Sequence, residues 1–340
     1  MKKHLLFLLL LILTSVAGCA RPTQAPEPAD LEERTLASLE KVDNYPLYVM
    51  HYYGPYVVDV TGQVSQASPQ REIIVQEETP GWACSLFAAL GDEQNALYGR
   101  NFDWAPSPAV LLFTHPTEAT IYASVSMVDV VYLGFSQDVA DALMDFTLDE
   151  RRGLLQAPLI PFDGMNERGL AVGMAAVPDT ELPYDPGKPT IGSVGILRTM
   201  LDYAGNVDEA VEILQGYNLE MQGGETLHYL LADASGKAVL VEFTKGEVIL
   251  FPNTAPWHQA TNFLVAGVAD PYAQCHRYNA LSARLSETGG KLTTAEALDL
   301  LKSVRQSGTQ WSVVYGIHTG TVDIAMGRDY KNIHHFDLTP

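Results

Sequence analysis

Three residues are spaced for nucleophilic chemistry: Cys84, Arg100 sixteen positions later, and Asp103 nineteen positions later, the last two inside Tyr98-Gly99-Arg100-Asn101-Phe102-Asp103-Trp104. A thiol reacts as its thiolate, which an ordinary pKa of about 8.5 leaves scarce at neutral pH, so a guanidinium that stabilises the anion makes chemical sense beside it. A nearby carboxylate can hold a protonated amine. That amine is the one Cys84 itself would acquire if the Ala83–Cys84 bond were cut, because a free α-amine of pKa roughly 8 can serve as the thiol's own base. Nucleophile and base would then share one residue.

The surrounding segments must position these groups. Ser85 to Ala89 and Ala96 to Phe102 read as two strands joined by Gly91-Asp92-Glu93-Gln94-Asn95, so Cys84 opens a hairpin. In a regular strand Arg100 and Asp103 point to opposite faces, and both reach Cys84 only if the strand bends or ends near Asn101. Phe162 to Val177 reads as a second hairpin turning at Asn166-Glu167-Arg168-Gly169. Val194, Leu197, Met200, Leu201 and Ala204 recur at helical spacing within Ile191 to Ala204, and Asn206 with Glu209 starts a second helix. His228 to Ala232, Ala238 to Phe243 and Glu247 to Phe251 form a meander. A helix from Thr293 to about Arg305 precedes a last hairpin, Ser312 to Ile317 with Thr321 to Ala325. Hairpins alternating with grouped helices give an α+β fold.

The N-terminus carries a different message. Lys2 and Lys3 precede the apolar run Leu5 to Leu13, which ends in Val16-Ala17-Gly18-Cys19. The run falls short of the about 20 residues that cross a bilayer, and a cysteine after small residues marks lipoprotein processing. Residues 1–18 read as a signal peptide and Cys19 as the lipidated first residue, which places the protein outside the cytoplasm on the bacterial cell membrane. Residues 19–30, with Pro22, Pro26 and Pro28, read as an extended tether. Leu31 to Val42 reads as a helix, and Tyr45 to Val60 as strands. Losing residues 1–18 removes two lysines and no acid, so the formal charge moves from −20 to −22. Such a surface argues against nucleic acid as a partner.

Five motifs together resemble the N-terminal-nucleophile hydrolases of the choloylglycine hydrolase, penicillin V acylase and acid ceramidase type. They are Cys84-Ser85-Leu86-Phe87-Ala88-Ala89, Gly99 to Asp103, Gly164-Met165-Asn166-Glu167-Arg168-Gly169-Leu170-Ala171-Val172, Ala260-Thr261-Asn262-Phe263, and Arg277. The resemblance implies a four-layer αββα sandwich of antiparallel sheets flanked by helices. It also implies hydrolysis of a linear, non-peptide N-acyl amide, through an acyl-enzyme on Cys84, by a chain that cuts itself between Ala83 and Cys84. Residues 31–83 become a pro-segment or small subunit and residues 84–340 the catalytic domain, the two fragments pairing non-covalently. Carried over residue by residue, Arg100 stabilises the thiolate or substrate, Asp103 holds the α-ammonium, Asn262 donates to the oxyanion, and Arg277 orients Asp103 or the nucleophile's surroundings. The sequence departs from the bile salt hydrolase pattern where a second oxyanion asparagine belongs, at Ala175 or Ala176.

Other readings attach to the same residues. Outside the cytoplasm Cys84 and Cys275 have the option of a disulfide, which would silence Cys84. Cys275-His276 is a rival dyad, but adjacent residues point apart. Ser193 in Gly192-Ser193-Val194-Gly195 lacks the spacing of a nucleophile elbow. His115, His228, His258, His276, His318, His334 and His335 fall into no HxxxH or HExxH pattern, so neither metal nor cofactor is expected. The alternative functions are an acyltransferase of the same superfamily and a non-catalytic ligand-binding lipoprotein.

Overall fold

The computed structural model describes residues 28–58, 83–136, 139, 141–221 and 224–338. In chain order its strands are β1 (Glu40–Asp43), β2 (Leu47–Tyr53), β3 (Ser85–Ala89), β4 (Leu97–Asp103), β5 (Ala109–His115), β6 (Ser124–Asp129), β7 (Asp163–Asn166), β8 (Ala171–Val177), β9 (Thr190–Gly192), β10 (Asn218–Glu220), β11 (Thr226–Ala232), β12 (Ala238–Thr244), β13 (Glu247–Pro252), β14 (Trp257–Ala260), β15 (Thr309–Gly316), β16 (Thr321–Met326) and β17 (Ile333–Asp337). The principal helices are α1 (Pro28–Ala37), α2 (Gly195–Tyr203), α3 (Val207–Gln215), α4 (His276–Thr288) and α5 (Thr294–Ser303).

Nine strands form one sheet in the order β1-β2-β5-β6-β7-β8-β11-β12-β13, six form a second as β14-β3-β4-β15-β16-β17, and β9 with β10 makes a small third sheet. Successive side chains alternate across each sheet, so each strand feeds two cores. Leu86, Ala88 and Tyr98 of the six-stranded sheet meet Leu111, Met127 and Met165 of the large one in the central layer. On the far side of the six-stranded sheet, Phe87, Leu97 and Val314 pack under Leu281, Leu285 and Leu301 of α4 and α5. The outer face of the large sheet is covered by α2 and α3 over β7, β8 and β11, and by α1 with the short 3₁₀ turns of 130–159 over β2 and β5. This is the four-layer α+β sandwich, with two departures from antiparallel pairing: the short β9 and β10 run parallel, and within the large sheet β2 runs parallel to β5 from Leu47–Ala109 to Tyr53–His115.

Several expected segments shift. The helix expected over Leu31 to Val42 begins earlier, at Pro28, and ends at Ala37, and Glu40–Asp43 is a strand paired with β2. The last three residues of the expected tether therefore lie in α1. Ile191 belongs to the short strand β9 and α2 starts only at Gly195, although Leu197, Met200 and Leu201 do form its buried face. The C-terminal hairpin gains a third strand, β17, whose sparse apolar content hid it. The signal segment, Cys19 and most of the tether lie outside the described residues. Among those residues no helix is long and apolar enough to cross a membrane.

Candidate active site

The hairpin of β3 and β4 places Ser85 opposite Asn101 and Leu86 opposite Arg100, which brings Cys84 to the end of β4 where the charged pair lies. Cys84 Sγ is 3.6 Å from Arg100 Nη2, and both residues are buried. Nη1 of the same guanidinium donates to the Phe162 carbonyl at 2.6 Å and to Asp163 Oδ2 at 2.5 Å. Burial opposes the Arg100 charge, but Asp163 and then the Cys84 sulfur outweigh it and hold the group firmly cationic. Asp163 is fixed on its other oxygen by the Tyr315 hydroxyl at 2.5 Å. The sequence did not single out Asp163. It stands one residue before the Gly164 motif, and nothing in local spacing names a partner 63 residues away.

The bend expected of β4 is absent: Ala83 N bonds the Asp103 carbonyl in the same register that pairs Ser85 with Asn101, so Arg100 shares the face of Cys84 while Asp103 stands beside Ala83 on the other face. The ladder between β4 and β15 slips between Thr309 and Trp311, where Gln310 is an extra residue opposite the Phe102–Asp103 end of β4. Thr309 Oγ1 donates to Asp103 Oδ1 across this bulge, while Asp103 Oδ2 is buried with no partner among the described residues. Burial raises the Asp103 pKa from 3.8 to about 6, against the opposing pull of Thr309, Arg277 and Arg100.

The backbone around Cys84 is held on three sides. Ala83 N donates to the Asp103 carbonyl at 3.4 Å, and Cys84 N donates to Asn262 Oδ1 at 2.5 Å. Arg277 Nη1 donates to the Cys84 carbonyl and to Ser85 Oγ, and its Nη2 to Asn262 Oδ1 at 3.1 Å. Arg277 sits in the first turn of α4 and is buried, so it is no solvated surface charge. The two donors converging on Asn262 Oδ1 fix that amide's orientation, and its Nδ2 donates to the Ala176 carbonyl at 2.8 Å. In the uncut chain, then, one of the amide protons expected to serve an oxyanion is already bonded.

Cys84 and Cys275 are both free thiols, which removes the disulfide alternative. Cys275 caps α4 and is half-exposed, with His276 beginning the helix. Ser193 lies between β9 and α2 beneath the Tyr229 hydroxyl, which donates to its carbonyl at 2.7 Å. Among the described residues no three His, Cys, Asp or Glu side chains cluster as a metal site would require. The apolar stretches Val125 to Phe135 and Gly153 to Phe162 are mostly core: Val125 and Met127 fill the central layer, and Leu133, Phe135, Leu154 and Ala157 the outer one. Phe162 is different. Its ring meets Phe102 at 5.3 Å and the half-exposed Tyr132 at 5.2 Å, beside the arginine that its carbonyl holds.

Two sheets faced by helices on both sides, with a cysteine entering an inner hairpin, define an N-terminal-nucleophile hydrolase fold. The chain belongs to the linear amide C–N hydrolases, choloylglycine hydrolase family, whose family model matches residues 84–262. It is accordingly a hydrolase of non-peptide C–N bonds in linear amides. The fold is similar to penicillin V acylase from Agrobacterium tumefaciens, at 17% identity and a TM-score of 0.52 over 75% of this chain and 86% of that one. It is also similar to a variant of conjugated bile acid hydrolase from Clostridium perfringens, at 15% identity and a TM-score of 0.53 over 75% of this chain and 92% of that one. No curated protein matches the chain by sequence.

Proposed function

We propose that the chain frees its own nucleophile by cutting Ala83–Cys84 and then hydrolyses a linear N-acyl amide through an acyl-enzyme on Cys84. The observation that carries this reading is the 3.6 Å approach of Cys84 Sγ to a buried arginine, at a peptide bond whose flanking atoms Asp103, Asn262 and Arg277 all grip. In the first step the thiolate attacks the Ala83 carbonyl carbon, the C–N bond to Cys84 breaks as its nitrogen gains a proton, and a thioester links Ala83 to Sγ. Water hydrolyses the thioester to the Ala83 carboxylate and a free Cys84 amine. Asp103 Oδ2, unpaired and buried beside this point, then receives the α-ammonium.

In turnover the α-amine takes the thiol proton, Sγ attacks the substrate carbonyl, and the proton passes to the departing amine. Water resolves the thioester to a carboxylic acid. Once Cys84 N ceases to be an amide, its bond to Asn262 changes, and an Nδ2–H of Asn262 becomes the donor to the oxyanion. The rings of Phe162 and Tyr132 offer the acyl group an apolar surface beside Arg100. The same reading keeps Cys19 as a lipid anchor. It also keeps the two fragments together, because β2 lies inside the large sheet with Leu47, Tyr48 and Met50 fully buried.

The test is the intact mass of purified residues 20–340 beside Cys84→Ala. Two fragments meeting at Ala83 and Cys84 in the wild type alone are expected; a wild type that stays whole counts against self-processing. Incubation of the cut form with N-acyl amides is expected to release free amine in proportion to acid.

A further inference from the structure

The central layer contains a buried histidine that the mechanism above leaves idle. His228 of β11 is 1% exposed, and its Nε2 has no hydrogen-bond partner among the described residues. A buried imidazole nitrogen without a partner is costly, which makes it a candidate for a group reserved for a ligand.

Its position follows from strand register. His228 stands opposite Ala175 of β8, and paired residues share a face. That face is the inner one: a side chain on Gly173, two residues from Ala175, would strike Tyr98 Oη and Leu86 Cδ2 of the facing sheet. Cys84 and Ala175 lie in the same central cluster, and Asn262 ties Cys84 N to the carbonyl of Ala176 next door. His228 therefore occupies the gap between the sheets, at the level where Asn262 links Cys84 to β8. This is also where alanines stand at Ala175 and Ala176, with no side-chain amide to offer an oxyanion.

The other end of the ring is anchored. Glu242 of β12 is fully buried and accepts the backbone N–H groups of Val265 and Ala266, each at 2.8 Å, one on each oxygen. His228 Nδ1 lies 3.3 Å from Glu242 Oε1. A carboxylate already taking two backbone donors acts as an acceptor, so Nδ1 carries a proton toward it. With Nδ1 so committed, Nε2 serves as a donor in the doubly protonated ring, whose charge the facing carboxylate offsets. Val265 and Ala266 belong to the loop that carries Asn262, so one carboxylate positions both the histidine and the amide.

We propose that His228, held by Glu242, is the second hydrogen-bond donor to the oxyanion, its Nε2–H acting with Asn262 where Ala175 and Ala176 supply no side-chain donor. The proposal rests on Cys84 as the nucleophile. Glu242 is then a positioning residue and His228 a catalytic one.

Four chains decide it: wild type, His228→Ala, His228→Gln and Cys84→Ala. Fragment formation is followed by intact mass, and kcat and KM of the cut forms are measured on an N-acyl p-nitroanilide. Losing one oxyanion donor lowers kcat by about 10²-fold. His228→Ala is expected to show that loss with KM changed less than about threefold, and His228→Gln, which keeps an N–H donor, to recover about tenfold of it. A His228→Ala enzyme with wild-type kcat, or a glutamine variant no better than alanine, overturns the proposal. If the variants fail to fold, wild type labelled with 15N-histidine is treated with an aliphatic aldehyde that forms a hemithioacetal on Cys84. The Nε2 resonance of His228 is expected to move on adduct formation, and an unmoved resonance overturns the proposal. A wild type that matches Cys84→Ala in remaining uncut overturns the nucleophile reading and this proposal with it. A wild type that cuts beside an unimpaired His228→Ala overturns this proposal alone.

Discussion

Asp103 and Asp129 are two buried carboxylates with one unpaired oxygen each, and they separate chemistry from stability. Burial raises both from 3.8 to about 6, Asp103 against its bond from Thr309 and Asp129 against its bonds from Ser107 and Val131. A carboxyl whose folded pKa is raised contributes stability that is complete below the ordinary pKa and is lost as pH rises through about 6. In a Cys84→Ala background, which stays uncut, Asp103→Asn and Asp129→Asn are each expected to raise stability at pH 8 by on the order of 2 kcal/mol and to flatten its fall between pH 4 and 7. Denaturant unfolding across that range checks this. With Cys84 intact, only Asp103→Asn is expected to slow fragment formation, since Asp129 bonds Ser107 and Val131 and not the backbone flanking Cys84. At this scale the sequence was readable where partners are near in the chain. Cys84, Arg100 and Asp103 belong to one hairpin, so their spacing alone carries a geometric meaning. Asp163, Glu242 and His228 were not readable as site residues, because their partners come from other strands that only the folded register brings alongside.

The elements explain how one ladder sets a cation and a carboxylate about one peptide bond, Arg100 at the Cys84 sulfur and Asp103 beside Ala83. Gln310 is the extra residue of the β15 bulge, and its amide bridges the region: Oε1 accepts from Tyr45 Oη at 2.7 Å and Ser107 N at 3.2 Å, while Nε2 donates to Trp104 O at 2.8 Å and Gly308 O at 2.7 Å. Gln310→Ala removes the side-chain bonds and keeps the bulge. It is expected to cost on the order of 2 kcal/mol in thermal or denaturant melts while fragments still form. Deleting Gln310 instead shifts Thr309 by one residue, turning its hydroxyl away from Asp103, and fragment formation is expected to stop. Strands such as β3 and β8 were legible because apolar runs between turn formers have few other fates; the turn at Gly169, with φ +78, sits where Asn166 to Gly169 predicted it. The 3₁₀ turns of 130–159 and strand β17 were not legible, since neither has a periodicity that separates it from a loop.

At the scale of the molecule the question is whether the N-terminal piece would stay with the enzyme once the proposed cut severs it from Cys84. The structure gives it a full place: β2 pairs with β5 along seven residues, and Met50 and Tyr48 are buried with Val110, Leu112 and α1 in the outer core. The two fragments are therefore expected to co-elute in gel filtration at high salt, because the contact is apolar and ladder-based rather than ionic. Met50→Asp, which places a charge in that core, is expected to release the small fragment; a wild-type pair that separates in salt alone would count against this packing. The sequence marked residues 31–83 as a distinct segment from its position before Cys84. Its parallel docking beside β5 was illegible, for β5 lies downstream of the cut and the two share no local signal.

The borders of the sheets give that docking a further meaning. An open border presents a row of unpaired N–H and C=O groups that can recruit a strand from another chain. Here β13 closes on Pro252, β17 carries His334, His335 and Asp337, and β1 is four residues long with Glu40, Lys41 and Asp43, all poor templates for strand addition. The first two strands of the large sheet lie upstream of Ala83. Without them the border would be β5, whose Ala109-Val110-Leu111-Leu112-Phe113-Thr114-His115 is long, apolar and free of fixed charge. If Ala83–Cys84 is cut as proposed, the N-terminal fragment is expected to guard the enzyme against fibre-like stacking.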